Sequence, residues 1–523
     1  MRKLLILHFL IIMVNSCTTD ADCKSFYVCI SDSCQHKYLF PNVSFTESFV
    51  GLIFIFTTLL TTVAGAGSFY SPILILIMNF TMKNSAPISI TISFFILFVR
   101  NIFSLEYRNM HRRTPLINYD IVLVFSPPIL MGTILGVIIN TMSSTLLILV
   151  ILILVMTTSI ALTFQKGVEL RREALSDKHE FIDLTEEAEI YLDRLKSKIE
   201  EMDEIYLREE KEKETTPEKR NIFKQYLQDN DQTPNKKQNS SLLVKHFAVP
   251  EVELIQVTTD NSYSYCLPLD DPDVQFNIHQ LKRTAKTLES ILKKECRLID
   301  YEKVILVMIN LCFVIMFTLF RGTDSVSSLI GVESCSTEFW ILVFLYIPLG
   351  VVFMMGIVTY LIQEKQLKLY SGYVFYHDDL NWDLKTCVLI FLNGVGVGVV
   401  SSMIGMGGAL LSAPMLFKLG VETQEASYTA SFIAMFSAAS STVQYFIAGN
   451  IKWDYACFYL AFSMVGMLFG LKGVLEYLKN ENMMYVICFA LVAVSVMSLS
   501  FSIISNVNDL INNENSWYFH DFC

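Results

Sequence analysis

Twelve apolar runs alternate with polar segments along this chain. Each run is long enough, or nearly long enough, to cross a lipid bilayer. The runs lie at about 48–64, 69–82, 86–104, 119–140, 144–164, 303–320, 339–362, 386–404, 409–418, 425–448, 454–472 and 483–505. Length alone leaves the short runs, 69–82 and 409–418, between thin crossings and re-entrant half-helices. The pattern predicts an all-α fold, a polytopic helical membrane protein embedded in the lipid bilayer.

The composition agrees with this pattern. The chain is 53% hydrophobic and only 17% charged, whereas soluble domains carry roughly a quarter charged residues. The formal net charge of −11 reflects acidic residues concentrated in the central segment 165–302. This charge distribution gives no indication of a nucleic-acid partner.

The N-terminus predicts export of the residues that follow it. Residues 1–16 carry two basic residues and then a short apolar run, which is typical of a signal peptide, and a signal anchor is the alternative. Either one places 17–47 on the luminal or extracellular side, where Asn42 begins an N-glycosylation sequon. The spacing of four cysteines suits two disulfides, and the secretory start disfavours the competing reading of a zinc site. These residues are Cys17, Cys23, Cys29 and Cys34.

Basic residues predict the orientation of the spans. Their densest cluster follows the run 86–104 and should face the cytosol; it comprises Arg100, Arg108, His111, Arg112 and Arg113. Reaching the cytosol there takes an odd number of crossings, so the run 69–82 is counted as one. The same count places the insert 165–302 and the loop 363–385 in the cytosol and the tail 506–523 outside. The expected location is the plasma membrane or an endomembrane.

The cytosolic insert differs in character from the spans. Within 168–214, apolar residues recur at alternating three- and four-residue steps, from Leu184 to Tyr206. Such a stripe is explained either by a helix packing on its own domain or by a coiled-coil contact with a protein partner or a second copy. A polar stretch at 215–245 reads as a linker, and a second helix precedes the next span. No catalytic, cofactor or metal site is predicted anywhere in the chain, so an enzyme is the least favoured class.

Two stretches of the chain repeat one another. Gly65 precedes Pro72 by seven residues, as Gly407 precedes Pro414. Each copy continues with a small–x–x–hydroxyl–x–hydroxyl pattern, which begins at Ala86 in the first copy and at Ala426 in the second. The copies occupy equivalent places in two halves, 48–164 and 386–505, joined through the connecting helices 303–362. Because the first half starts outside and the second inside, the sequence predicts two inverted repeats that contain broken helices.

The broken helices predict a binding site. A break inside the bilayer exposes backbone amides, and the helix that follows it directs N–H groups and a partial positive charge at an oxyanion. No buried arginine is expected in these spans, and no ionisable residue lies well inside them, with Glu425 and Asp454 at their edges. The alternative is that the small residues only pack helices together. The predicted substrate-binding residues are Gly65, Gly67, Ser89, Thr91, Gly405, Gly407, Gly408, Thr429 and Ser431, with Pro72 and Pro414 marking the helix breaks.

Residues 394–478 resemble the second repeat of the TauE/SafE family of sulfite and organosulfonate exporters. The resemblance rests on GVGVGVVSSMIGMGGALLSAPMLFKLG and EASYTASF, and in the first half on AGAGSFYSP and APISIT. It implies a secondary transporter of a small oxyanion, such as sulfite, a sulfonate or another sulfur-containing anion. It extends over the two halves but not over the cysteine segment, the insert or 303–362. A membrane receptor or scaffold, acting through the cysteine segment and the insert, is the alternative function.

Overall fold

The computed structural model describes residues 26–30, 33–41, 43–64, 70–109, 113–175, 184–215, 255–259, 262–266, 278–323, 326–333, 336–376, 382, 384–405, 408–475 and 485–512. The elements before the second half are β1 (Tyr27–Ile30), β2 (Ser33–His36), α1 (Phe45–Ala64), α2 (Tyr70–Met78), α3 (Met82–Ser104), α4 (Tyr119–Met142), α5 (Thr145–Leu175), α6 (Leu184–Thr215), β3 (Ile255–Thr259), β4 (Ser262–Cys266), α7 (Ile278–Glu295), α8 (Tyr301–Arg321), α9 (Thr337–Tyr370) and β5 (Val374–Tyr376). The second half contains α10 (Leu384–Ile404), α11 (Ala409–Lys418), α12 (Thr423–Ile447), α13 (Trp453–Phe469) with a π-helical turn at Gly470–Leu475, and α14 (Tyr485–Asn512).

Each of the twelve predicted apolar runs coincides with a helix. Within the described residues, eight helices are long and apolar enough to cross a membrane, namely α3, α4, α5, α8, α9, α10, α12 and α13. Helices α1 and α14 contain shorter apolar stretches. The prediction of an all-α polytopic membrane protein is therefore confirmed, and the described strands form two small sheets.

Packing between the two halves is reciprocal. The first helix of each half packs on the fourth helix of the other, α1 on α13 and α10 on α4. The third helices, α3 and α12, pack on each other, and so do the fifth helices, α5 and α14. The second helix of each half, α2 or α11, packs on the fifth helix of the other. Exchanging the halves leaves this pattern unchanged, as expected for repeats related by a pseudo-two-fold axis.

Contacts made by the segment before α1 place the end of α2 on the same face as the start of α1. The His36 ring stacks on Phe80 at 3.8 Å between centroids, and its Nε2 lies 3.1 Å from the Met78 carbonyl oxygen. Tyr455, at the start of α13, makes an edge contact with His36 and donates a hydrogen bond to Glu47 near the start of α1. Burial lowers the pKa of His36, which favours a neutral ring in this contact. Helix α2 therefore returns the chain to the face where α1 began, which we call the hairpin side after the β1–β2 hairpin.

The opposite face lies at the far end of α3. This helix of 23 residues spans about 34 Å, so Ser104 lies a membrane thickness away from the hairpin side. The loop beyond it is held by the insert, since Arg108 Nη1 donates to the Cys296 carbonyl at 2.9 Å. We call this face the insert side.

The predicted helix breaks fall between α1 and α2 and between α10 and α11, and we call each of these an interrupted pair. The second interrupted pair begins and ends on the insert side. Asn118, which precedes α4, donates from Nδ2 to the Glu425 carboxylate of α12 at 2.6 Å. Trp382, just before α10, lines the same cavity of about 180 Å³ as Asn118 and Glu425. Helix α10 thus begins, and α11 ends, on the insert side. The two interrupted pairs face opposite sides, so the repeats are inverted, and each short segment returns the chain to the face where the preceding helix began.

A buried lysine joins the first half to the connecting helices near this cavity. The Lys303 side chain of α8 is 7% exposed and contacts three carboxylates. Its ammonium lies against Asp120 of α4, 3.3 Å from Asp300 and 3.2 Å from Glu364 of α9. Close by, Lys368 of α9 forms an ion pair with Glu295 of α7 at 2.7 Å. Charged contacts therefore fix α4, α8, α9 and the insert together.

The insert folds on itself. The stripe on α6 packs against α7, with Leu195 and Leu288 fully buried in one apolar cluster. Phe375 of β5 joins this cluster, and β5 pairs with β4, so residues 374–376 of the predicted loop 363–385 belong to the same small unit. The reading of a helix that packs on its own domain therefore describes α6. The prediction of a purely helical insert missed these strands, and the linker 215–245 lies outside the described residues.

The cysteine segment is described in part. Strands β1 and β2 place Cys29 opposite Cys34, and Cys29 is disulfide-bonded. Cys17 and Cys23 lie outside the described residues, as do the predicted signal peptide and Asn42. The pairing of the four cysteines stays a prediction.

The orientation of the two faces is tested by glycosylation. We expect Asn42→Gln to abolish a glycosidase-sensitive mobility shift, because Asn42 precedes α1 in the sequence, α1 begins on the hairpin side, and the signal-like start places that side outside. Asn239→Gln, in the insert, is the matched control and should leave the mobility unchanged. A glycan attached at Asn239 would reverse the predicted orientation.

Candidate functional site

Three of the predicted binding residues, Gly65, Gly67 and Gly407, lie outside the described residues. The others are described and all are buried: Ser89, Thr91, Gly405, Gly408, Thr429 and Ser431. The prolines lie beyond the interruptions. Pro72 is in the first turn of α2, and Pro414 is inside α11.

Ser89 brings the two interrupted helix pairs together. Its hydroxyl accepts a hydrogen bond from the Ser71 backbone N–H in the first turn of α2, at 3.1 Å. The same hydroxyl donates to the Gly405 carbonyl, immediately after α10, at 2.6 Å. One fully buried side chain of α3 thus connects the N-terminus of the first short helix to the end of the long helix in the other half.

Gly405 allows this close approach. Its backbone adopts a φ of +75°, a conformation that side chains with a Cβ rarely take. A Cβ at this position would lie 2.5 Å from the Ala86 Cα of α3, and backbone cannot move aside as a side chain can. For Gly405 the helix-packing explanation therefore holds, and the packing serves the meeting of the two interruptions.

Gly408 has different surroundings. A Cβ there would find its nearest neighbours, Ser401 and Ser437, at 3.7 Å, which is ordinary contact. The hydroxyls of these two serines lie 3.3 Å apart, and Ser412 donates to the Gly408 carbonyl at 2.9 Å. Gly408 is the N-cap of α11 and provides no side-chain cap. The start of α11 is therefore lined by small hydroxyl groups.

These three serines are not among the predicted binding residues. Ser401 and Ser412 stand in the same glycine-rich stretch as Gly408, so their position in the chain was a usable signal. Ser437 is on the next helix, eleven residues after Ala426 and beyond the part of the repeat that matches between halves. All three side chains are at most 1% exposed.

The remaining predicted hydroxyls make contacts between or within helices. Thr91 donates to the Pro87 carbonyl within α3 at 2.8 Å. Thr429 accepts from the Asn118 backbone N–H at 3.0 Å, and Ser431 donates to the Asn101 side chain at 3.1 Å. The structure thus brings Ser89 to the meeting of the interruptions, while these three side chains hold α3, α12 and the start of α4 in place.

The expectation that the spans carry no buried arginine is wrong. Arg100 belongs to α3, which continues to Ser104, and it is 1% exposed. Its Nε donates to the Thr62 carbonyl at 3.3 Å, and its guanidinium lies over the Tyr428 ring at 5.1 Å. Its Nη1 finds no hydrogen-bond partner within the described ranges. The basic residues that follow closely in the sequence had placed Arg100 with the basic loop.

The ionisable groups at the span edges have structural contacts. Glu425 accepts hydrogen bonds from Asn118 and Asn109, and Asp454 accepts one from the Leu39 backbone N–H at 2.9 Å. Across the described residues, no three His, Cys, Asp or Glu side chains are placed to hold a metal ion. The chemistry of the described site is that of backbone amides, hydroxyls and one buried guanidinium.

Two inverted halves whose interrupted helices meet at the buried Ser89 define an inverted-repeat membrane protein, a plan common among secondary transporters. The chain belongs to the sulfite exporter TauE/SafE family, whose sequence profile matches residues 45–191 and 326–499, more than half of the chain. The match extends beyond the expected range, over the start of the insert and over α9. No solved structure matches the chain significantly.

Curated relatives come from Arabidopsis thaliana. "Sulfite exporter TauE/SafE family protein 6" is 29% identical over 184 residues, 34% of this chain and 41% of the relative. "Sulfite exporter TauE/SafE family protein 5" is 29% identical over 219 residues, 41% of this chain and 47% of the relative. "Sulfite exporter TauE/SafE family protein 1" is 27% identical over 201 residues, 37% and 43% of the two chains. The aligned part thus spans less than half the length of these relatives.

Proposed function

We propose that this protein is a secondary transporter that carries a small oxyanion, most simply sulfite, a sulfonate or another sulfur-containing anion, across its membrane. The observation that carries the proposal is the meeting of the two interrupted helix pairs at Ser89. The names of the relatives add support for a sulfur oxyanion as the substrate class.

The start of α11 provides the binding chemistry. A helix N-terminus presents backbone N–H groups and a partial positive charge, which together suit an anion. Gly408 leaves room there, and the hydroxyls of Ser401 and Ser437 are within reach of the same space. In the first half the Ser71 N–H in the first turn of α2 already donates to Ser89, so the start of α11 in the second half supplies the more open position.

The symmetry of the fold gives transport a route. The first interrupted pair begins and ends on the hairpin side and the second on the insert side. Reciprocal packing allows one half to rock against the other, so that an anion held between them meets each side in turn. The groups described at the site include no carboxylate, so coupling through substrate protonation or the membrane potential is the simplest expectation.

The test is anion flux into proteoliposomes that contain the purified full chain. Sulfite, sulfate, methanesulfonate and thiosulfate would be compared, with and without an imposed potential or pH gradient. We expect saturable flux of at least one sulfur oxyanion that protein-free vesicles lack. Absence of flux for every anion, with correctly inserted protein, would overturn the proposal and leave the receptor or scaffold reading.

The same assay locates the binding position. We expect Gly408→Val to reduce flux per inserted molecule at least tenfold, because a branched side chain fills the space between Ser401 and Ser437. Gly396→Val is the matched control, since Gly396 is on α10 with no neighbour within 4 Å of an added Cβ. Equal flux in the two variants would remove the start of α11 from the site.

A further inference from the structure

Arg100 is a buried cation that lacks a counter-ion among the described residues. Its side chain is 1% exposed, and the ionisable groups that act on it are two tyrosines, Tyr428 and Tyr107. Burial of an unpaired charge is costly, so buried charges are normally paired with an opposite charge. One of its terminal nitrogens, Nη1, has no hydrogen-bond partner in the part of the chain that the structure describes. An anion would supply what this guanidinium lacks.

Arg100 lies close to the end of α1, where the first helix break begins. Its Nε contacts the Thr62 carbonyl, two residues before α1 ends at Ala64. Ser89, where the interruptions meet, is eleven residues earlier on the same helix, about 16 Å along its axis. Arg100 therefore lies toward the insert side of the seam between α3 and α12, apart from the start of α11.

The neighbours of Arg100 hold it in this place. The Tyr428 ring lies beneath the guanidinium, and such a ring fixes the plane of the group without neutralising its charge. The adjacent Asn101 exchanges two hydrogen bonds with Ser431, one to its backbone and one from its hydroxyl. These contacts set the register of α3 against α12, and none of them uses the Nη1 of Arg100.

We propose that Arg100 forms a second binding position for the transported oxyanion, on the insert side of the seam and in series with the position at the start of α11. The proposal rests on the proposed function. A guanidinium offers parallel N–H donors that match two oxygens of a sulfite, sulfonate or sulfate group. With two positions in series, an anion can move from the first position to the second before the protein releases it.

The competing explanation is structural. Arg100 Nε caps the end of α1 through the Thr62 carbonyl, and a cation near a helix C-terminus is stabilising. This contact uses one nitrogen and leaves Nη1 unexplained. The two roles differ in what substitution changes, since a cap affects stability and a ligand contact affects affinity for the anion.

The experiment measures the KM for sulfite flux in proteoliposomes with Arg100→Gln and Arg100→Lys. We expect Arg100→Gln to raise the KM about 10- to 100-fold, the loss of a charge-assisted contact. Arg100→Lys should fall between Arg100→Gln and wild type, because an ammonium keeps the charge but not the paired geometry. Arg321→Gln is the control, since Arg321 is also buried and lies over the Phe339 ring, but at the end of α8, outside both halves.

The outcomes separate the two proposals. Wild-type flux with an unchanged KM in Arg100→Gln overturns the role of Arg100 and leaves the transport proposal intact. A wild type that moves no anion defeats the transport proposal itself. Should Arg100→Gln fail to fold, Arg100→Lys decides alone, and a KM within twofold of wild type counts against the proposal. A rise of the same size in Arg321→Gln would also overturn it, because the effect would then belong to any buried arginine.

Discussion

Gly405→Ala is expected to destabilise the folded protein by about 2–6 kcal/mol. The residue has a φ of +75°, and forcing a residue with a Cβ into such a region costs about 1–3 kcal/mol. The new Cβ would also lie 2.5 Å from the Ala86 Cα, and relieving this clash moves α3 away from the end of α10 at a further cost of about 1–3 kcal/mol. That movement would break the hydrogen bond from Ser89 to the Gly405 carbonyl. We expect a lowered midpoint of thermal unfolding in detergent and little transport.

Two other glycines separate the causes. Gly420 has a φ of +90° with no neighbour within 4 Å of an added Cβ, so Gly420→Ala carries the backbone strain alone. Gly396 does not have a positive φ, and the added Cβ of Gly396→Ala would have no neighbour within 4 Å. We expect Gly396→Ala to be the most stable of the three variants, Gly420→Ala to be intermediate and Gly405→Ala to be the least stable. If Gly405→Ala unfolds at the same temperature as Gly420→Ala, the close approach of α3 to the interruption is not essential.

The pattern of apolar runs was sufficient to predict the helices, and the repeat was sufficient to predict their inversion. Both features follow from the length and composition of the segments, since a helix break needs glycine and a span needs length. The alignment of Ala86-x-x-Ser89 with Ala426-x-x-Thr429 also identified Ser89 before its partners were known. It could not show that Ser89 connects the two halves, because Gly405 lies more than 300 residues away.

The equivalence of the two copies predicted less about side-chain roles. Thr429 corresponds to Ser89, yet it accepts a hydrogen bond from Asn118, a residue of the longer loop present only in the first half. Ser431 is likewise engaged by Asn101. Residues outside the repeat motif thus decide what each hydroxyl does, and a motif comparison does not include them.

Arg100 shows a second limit of the sequence. The positive-inside rule counts basic residues near the end of a span and does not distinguish the last turn of a helix from the loop after it. A basic residue in the last turn of the helix can be buried, whereas one in the loop is solvated. The packing of Tyr428 and Thr62 on the guanidinium, which places it inside, comes from other helices.

The two halves have also diverged in the residues that follow their interruptions. In the first half Tyr70 fills the start of α2, where it stacks on Phe54 at 4.7 Å and hydrogen-bonds to Thr58. The corresponding position in the second half, two residues before Pro414, is Ser412. An aromatic ring occupies in one half the space that small hydroxyls line in the other. Of the two short helices, α11 rather than α2 is therefore the one whose N-terminus is lined by small groups.

Lys303→Met is expected to destabilise the protein by about 3–5 kcal/mol. The substitution keeps the apolar stem of the side chain and removes the charge that faces Asp120, Asp300 and Glu364. Removing one partner of a buried ion pair leaves carboxylates without compensation, which is the source of a penalty of this size. The effect should appear as a lowered midpoint of thermal unfolding in detergent, because α4, α8 and α9 lose the contact that joins them.

Lys294→Met is the matched control for this prediction. Lys294 forms an ion pair of 2.7 Å with Glu302, but the two side chains are 29% and 69% exposed, and pairs in contact with water contribute at most about 1 kcal/mol. Adding Asp120→Asn to Lys303→Met should recover part of the lost stability, since one uncompensated carboxylate is removed. If Lys303→Met is no less stable than Lys294→Met, the carboxylates around Lys303 are solvated by water, and the attachment of the connecting helices to the first half depends on apolar packing alone.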